Sequence, residues 1–235
     1  LDKPLLNRAL RGTYPPGSTY KPFMALAAIE TGKRSATEII NDSGSWSYGG
    51  HTFRSHGDTG LGSVDMVKSI VLSSNVYYYS LANNMGVDAI HDFMKPLGFG
   101  QITGIDLPGE LRGVLPSTQW KKNAYKKPEQ QKWYGGETIS LGIGQGYNAF
   151  TMLQLATATA TLANGGMQLK PRLVAATQDP IQRIDRSIDT TAPINLGFKP
   201  ENVAVVRQGL IGVAREGTSA RVFAGTPYQS AGKTG

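Results

Sequence analysis

Pro15-Pro16-Gly17-Ser18-Thr19-Tyr20-Lys21-Pro22 runs directly into Phe23, Met24, Leu26, Ala27, Ala28 and Ile29, and no other stretch limits the fold as much. The two prolines hold the entry extended. A helix that starts at Ser18 and is apolar on nearly every side belongs inside a domain, not on its surface. Pro22 falls in the first turn, where a missing N–H costs little, and Gly32 is placed to end the helix. Other elements must therefore wrap around this one, and 235 residues with 40% hydrophobic content suffice to do so.

The pattern predicts further helices over residues 64–72, 76–85 and 87–97, the first two joined at Ser73-Ser74-Asn75. Residues 33–63 read as loops with short extended pieces such as 46–48, and residues 99–148 as largely loop, ending in Gly142-Ile143-Gly144-Gln145-Gly146. A second buried helix is expected over 151–164, closed by Gly165-Gly166, then a strand pair around 167–177. An amphipathic helix over 200–215 and the start of a strand over 228–235 complete the reading.

Composition excludes several classes. With no cysteine, the chain has no disulfide framework, thiolate metal site or cysteine nucleophile, and its redox compartment stays open. No apolar run approaches the roughly 20 residues that span a bilayer. The opening Leu1-Asp2-Lys3-Pro4 lacks the features of a signal peptide, and both ends read as those of a piece excised from a longer protein. The net charge of +7 comes from scattered residues with no nucleic-acid motif, so no nucleic-acid partner is expected. Lys121, Lys122, Lys126 and Lys127 read as solvated loop lysines. His51, His56 and Asp58 are the only candidates for a metal, without a helix to order them, and no metal or other cofactor is expected.

Three short motifs carry chemistry. A serine at a helix start with a lysine three residues on places hydroxyl and amine on one face. A neutral Lys21 could take the proton of Ser18 and make it a nucleophile. The lysine pKa must then fall by roughly 3 units, which burial beside a second cation achieves. Lys233 in Lys233-Thr234-Gly235 is the candidate cation: it would also attract a substrate carboxylate, with Thr234 adding a hydroxyl and Gly235 leaving room for a substrate backbone. Ser73 offers a hydroxyl to relay a proton, and Asn75 an amide to hold a substrate amide. Each motif is weak alone, for Ser18 also reads as a helix N-cap and the Ser-x-x-Lys spacing recurs at Ser230 to Lys233.

Their order changes the reading. Ser-x-x-Lys, Ser-x-Asn and Lys-Thr-Gly in sequence are the signature of penicillin-binding proteins and serine β-lactamases. The chain resembles the class B penicillin-binding proteins, and within them the elongation-type branch, through "LLNRALRGTYPPGSTYKPF", "GIDLPGE", "LGIGQGY" and "LQLATATATLANGG". The resemblance implies a peptidoglycan D,D-transpeptidase: Ser18 the acylated nucleophile, Lys21 its general base, Ser73 the proton shuttle, Asn75 the holder of the acyl-side amide, Lys233 and Thr234 the carboxylate site. It implies an α/β fold, a helical subdomain packed against an antiparallel sheet whose edge strand carries Lys233. Residues 1–235 would be one transpeptidase domain cut short after Gly235, with membrane anchor and N-terminal pedestal outside it. Peptidoglycan stem peptides, β-lactam antibiotics and a membrane-embedded glycan polymerase of the shape, elongation, division and sporulation family are the implied partners. The implied location is the bacterial inner membrane, with the catalytic domain facing the periplasm. A serine β-lactamase and a non-catalytic β-lactam sensor are the alternatives. The class A lactamase's Glu-x-x-Leu-Asn is absent, the class D form would have an apolar residue at Asn75, and the sensor would lack "GIGQG".

Overall fold

The computed structural model describes residues 3–55 and 59–235. At its centre lies helix Lys21–Glu30, entered through a single 3-10 turn, Gly17–Tyr20, rather than starting at Ser18. The side chain of Ser18 caps nothing; the helix begins without a side-chain cap, and Pro22 sits in its first turn. Lys21 through Ala28 are all buried, which is what an apolar run without a polar face dictates. Tyr20, Phe23, Phe99 and Phe150 close one side as an aromatic cluster with ring centroids 4.7–6.5 Å apart. Each fully buried side chain of this size contributes about 1.5–3 kcal/mol relative to exposure.

Around it pack helix Asn75–Met85, with Tyr77, Tyr78 and Tyr79 all buried, and helices Met66–Val71, Val87–Met94, Met152–Ala163 and Pro200–Arg215. These match the predicted helices to within a few residues at each end. Helix Met152–Ala163 opens with a reciprocal Thr151–Gln154 capping box. Gln154 Nε2 then donates to the carbonyls of Gln101 and Arg112, which fastens the preceding loops to the core.

Strand pairing among the described residues is antiparallel, in five two-stranded units and one isolated bridge between Val114 and Ala149. Ile40–Asp42 pairs with Gly62–Val64, and Ser45–Tyr48 with His51–Arg54. The expected strand pair at 167–177 is corrected: Met167–Gln168 pairs with Ile194–Asn195 and Ala176–Gln178 with Asp185–Ser187, so each strand finds its partner further along the chain. Residues 228–235 form no strand, because a ladder needs a neighbour and none runs alongside them among the described residues; Gly232 N–H donates instead to Leu210 O at 3.1 Å.

The expected loop at 99–148 contains three helices, Thr118–Ala124, Pro128–Gln131 and Gly135–Leu141. Residues 99–117 are loop as expected, whereas beyond them Ser117 caps the first helix, Pro128 opens the second and Gly135 the third. Lys121 is not solvated, since it is 4% exposed, ion-paired with Glu137 and set against the rings of Trp133, Tyr134 and Tyr147. His56 and Asp58 lie outside the described residues, and no metal-holding cluster occurs among the described ones. No helix there is long and apolar enough to cross a membrane.

Candidate active site

The Pro-Pro-Gly entry places Ser18 by backbone contacts. Gly17 adopts φ +57°, a left-handed conformation that favours glycine. Its N–H donates to Gly144 O at 3.1 Å, while Thr19 Oγ1 donates to Pro16 O at 2.6 Å. Gly144, at φ +71°, lies so close that a Cβ there would stand 2.2 Å from Gly17 O. Gly142 presses likewise on helix Asn75–Met85, where a Cβ would stand 2.2 Å from Tyr78 O. Gly142 and Gly144 of the "GIGQG" run therefore form a wedge, bare of side chains at those two positions, between the serine turn and the helix that follows Ser74. Ser18 is half-buried and opens onto a cleft of about 620 Å³ shared with Ser73, Asn75, Thr234 and Gly235.

Lys21, one residue past that turn, is fully buried. Its Nζ donates to Ser73 O at 2.7 Å, Ser73 Oγ at 3.1 Å and Asn75 Oδ1 at 2.7 Å. Ser73 sits at φ +57°, an unusual conformation for a residue with a side chain, and its carbonyl is one of the three acceptors of Lys21. From the far end of the chain, Lys233 Nζ donates to the same Ser73 Oγ at 2.9 Å and to Thr234 O at 2.9 Å. Thr234 Oγ1 meets Thr218 Oγ1 at 2.7 Å at the cleft edge. Three segments distant in sequence thus converge on one hydroxyl. No hydrogen bond joins Ser18 Oγ to Lys21, whose three acceptors are those of an ammonium.

Burial pushes the pKa of Lys21 down to about 6, helped by the positive charge of Lys233 and opposed by the negative charge of Asp42. Burial alone lowers Lys233 to about 8. Near neutral pH this pair therefore carries a base and an acid side by side. When Lys21 is neutral it keeps two N–H donors and gains a lone pair, so it can accept a proton from a hydroxyl in the cleft.

All seven residues singled out in sequence lie here: Lys21, Ser73, Asn75 and Lys233 in one hydrogen-bonded network, Ser18, Thr234 and Gly235 on the wall of the same cleft. Gly235 packs on the serine turn, where a Cβ would stand 2.6 Å from Thr19 Cγ2. Three contributors escaped sequence reasoning: the Tyr78 ring, 5.6 Å from Lys21 Nζ, the wedge role of Gly144, and Asp42. Tyr78 and Asp42 carried no local signal, since a buried tyrosine on a helix and an aspartate in a loop look ordinary. Positive φ and close approach are what a glycine triplet signals, but its partner is visible only in three dimensions.

The whole chain, residues 1–235, matches the family described as the penicillin binding protein transpeptidase domain. It is 42% identical over 238 residues to the peptidoglycan D,D-transpeptidase MrdA of Acinetobacter baumannii, covering 100% of this chain and 34% of that protein. The crystal structure of Pseudomonas aeruginosa PBP2 in complex with WCK 5153 superposes with a TM-score of 0.85 at 38% identity, over 100% of this chain and 52% of that one. A chain of a peptidoglycan synthase complex, described as coordinating polymerization and crosslinking, matches with a TM-score of 0.82 at 32% identity, over 100% and 38% of the two chains. The chain spans about a third of the length of the curated relatives it matches.

Proposed function

Since this chain belongs to the penicillin-binding-protein transpeptidase family, we propose that it cross-links peptidoglycan by a serine acyl-enzyme route, with Ser18 as nucleophile. The observation that carries the reading is the convergence of Lys21 and Lys233 on Ser73 Oγ beside Ser18. Ser18 Oγ attacks the carbonyl carbon of the penultimate D-Ala in a stem pentapeptide, and Lys21 Nζ takes the hydroxyl proton. The new C–O bond forms and the C–N bond to the terminal D-Ala breaks. The departing amine receives that proton through Ser73 Oγ, which already bonds both lysines. An amine from a neighbouring strand then attacks the ester, its proton returns along the same path, and Ser18 is released as the alcohol. Lys233 and Thr234 hold the terminal carboxylate of the donor, Asn75 its acyl-side amide, and Gly235 leaves the substrate backbone room to lie along the cleft. A β-lactam enters the same route but keeps its leaving amine tethered, so the acyl-enzyme persists.

The order of pKa values gives a pH profile. Acylation needs Lys21 neutral and Lys233 charged. Its rate is expected to rise with pH through about 6 as Lys21 loses its proton, and to fall above about 8 as Lys233 loses its own. A pH-independent rate of penicillin acylation across that range would contradict the assignment of both lysines.

Release of D-Ala from a pentapeptide donor, followed by mass spectrometry of the peptide product, tests the reaction class. A donor–acceptor dimer is expected. A donor shortened by hydrolysis alone would favour a hydrolase, and a stable penicilloyl adduct without any turnover of donor would favour a sensor. The similarity to a chain of a peptidoglycan synthase complex supports action beside a glycan polymerase; that this is a membrane-embedded one of the shape, elongation, division and sporulation family follows from the resemblance and is part of the proposal. On this reading the domain works on the periplasmic side of the bacterial inner membrane.

A further inference from the structure

One buried carboxylate beside Lys21 has no part in the route above. Asp42 ends strand Ile40–Asp42 and is 1% exposed. Its Oδ1 accepts from Gly44 N–H at 2.8 Å and its Oδ2 from Ser74 Oγ at 2.5 Å. Ser74, also 1% exposed, accepts in turn from Tyr77 N–H at 3.1 Å and so caps helix Asn75–Met85. The two residues that flank Ser74 are Ser73 and Asn75, which between them supply all three acceptors of Lys21 Nζ. A single hydroxyl therefore links this carboxylate to the turn that grips the base.

We propose that Asp42 is a positioning residue for the chemistry at Ser18: through the Ser74 hydroxyl it fixes the Ser73–Asn75 turn that grips Lys21, and it is the buried anion behind that turn. The inference rests on the reading of Ser18 and Lys21 given above. An ionised carboxylate in a buried setting is costly unless it is compensated, and two neutral donors compensate it less than a nearby cation does. The groups that face Lys21 are Lys233 from the C-terminal segment, the ring of Tyr78 and neutral Ser73 and Asn75 from the helix Asn75–Met85 side, and Asp42 from its strand. Burial drives the Tyr78 hydroxyl far above its ordinary range, so it stays neutral wherever the enzyme works. Asp42 thus adds a negative charge that favours the charged form of Lys21, as its three acceptors do, while burial and Lys233 disfavour it.

The charge and the hydrogen bond can be separated. In Asp42→Asn, Oδ1 can still accept from Gly44 N–H and Nδ2 can donate to Ser74 Oγ, so the charge is lost while the link to Ser74 persists with its direction reversed. Ser74→Ala removes the link and keeps the charge. Penicillin acylation of Ser18 would be measured for both variants and the parent in the full-length protein, from about pH 5 to about pH 9. With D42N the acid limb is expected to move to lower pH by about half a unit to one unit, since Lys21 then loses its proton sooner. With S74A the limb stays in place while the rate falls roughly tenfold at every pH. An unmoved limb in D42N, or parental rates in S74A, would overturn the proposal while leaving Ser18 as the nucleophile. A parent protein that forms no adduct on Ser18 would instead overturn the reading on which it rests, and the proposal with it.

Discussion

Replacing Lys21 with methionine is expected to slow penicillin acylation of Ser18 by roughly 10²–10⁴-fold, the usual contribution of a positioned general base. Methionine matches the length of the buried stem, so the core stays filled. What is lost is the amine that Ser73 and Asn75 hold beside the cleft. Stability should move the other way. The native pKa of Lys21 lies at about 6, well below the ordinary lysine value, so the unfolded chain binds a proton that the native chain has given up. The penalty is complete below about 6, shrinks as pH rises, and vanishes above the ordinary lysine range. The parent should therefore grow more stable with rising pH in this window, and Lys21→Met should lack that slope. Urea melts at several pH values together with acylation rates check both halves. A variant that keeps parental acylation would remove Lys21 from the mechanism.

Gly144→Ala is expected to displace the serine turn and to damage both stability and acylation. Its Cβ would stand 2.2 Å from Gly17 O and 2.8 Å from Tyr20 Cβ, on a backbone at φ +71°. Backbone oxygen cannot move aside as a flexible side chain does, so the serine turn itself must shift. Strain and overpacking of this kind cost about 2–4 kcal/mol together. The turn carries Ser18 one residue past Gly17, so acylation should fall by roughly tenfold or more even where the fold survives. Gly136→Ala is the control: it lies in helix Gly135–Leu141 with nothing near the added carbon, and its stability should change by less than about 1 kcal/mol. Equal losses at both positions would mean that "GIGQG" matters for reasons other than its contact with Gly17.

The buried helix was legible because every residue from Phe23 to Ala28 is small or apolar, and burial follows from that alone. The helices at 75–85 and 200–215 were legible by periodicity. The motif residues were found by residue type and order, and the comparisons bear out the family they implied. That Lys233 stands near Lys21 was expected from the need for a second cation, but their shared acceptor was not legible: they are 212 positions apart by their numbering, and only folding brings both to Ser73 Oγ. The strand at 228–235 failed for a related reason: extended backbone becomes a strand only beside a partner, and sequence reports conformational preference without reporting neighbours. The region 118–141 failed because its glycines and prolines were taken as breaks when they stand at helix starts. Lys121 misled by type, for a lysine is rarely buried unless a carboxylate such as Glu137 receives it.

The central claim is that Ser18, seated by Gly17 and Gly144 beside two lysines of lowered pKa, is the residue that becomes acylated. Intact-protein mass with and without benzylpenicillin, followed by peptide mapping, tests it most directly. The account predicts one stable penicilloyl adduct, on Ser18, which Ser18→Ala abolishes without loss of the fold. An adduct mapped to Ser73 or Ser230, or one that persists in Ser18→Ala, would contradict it.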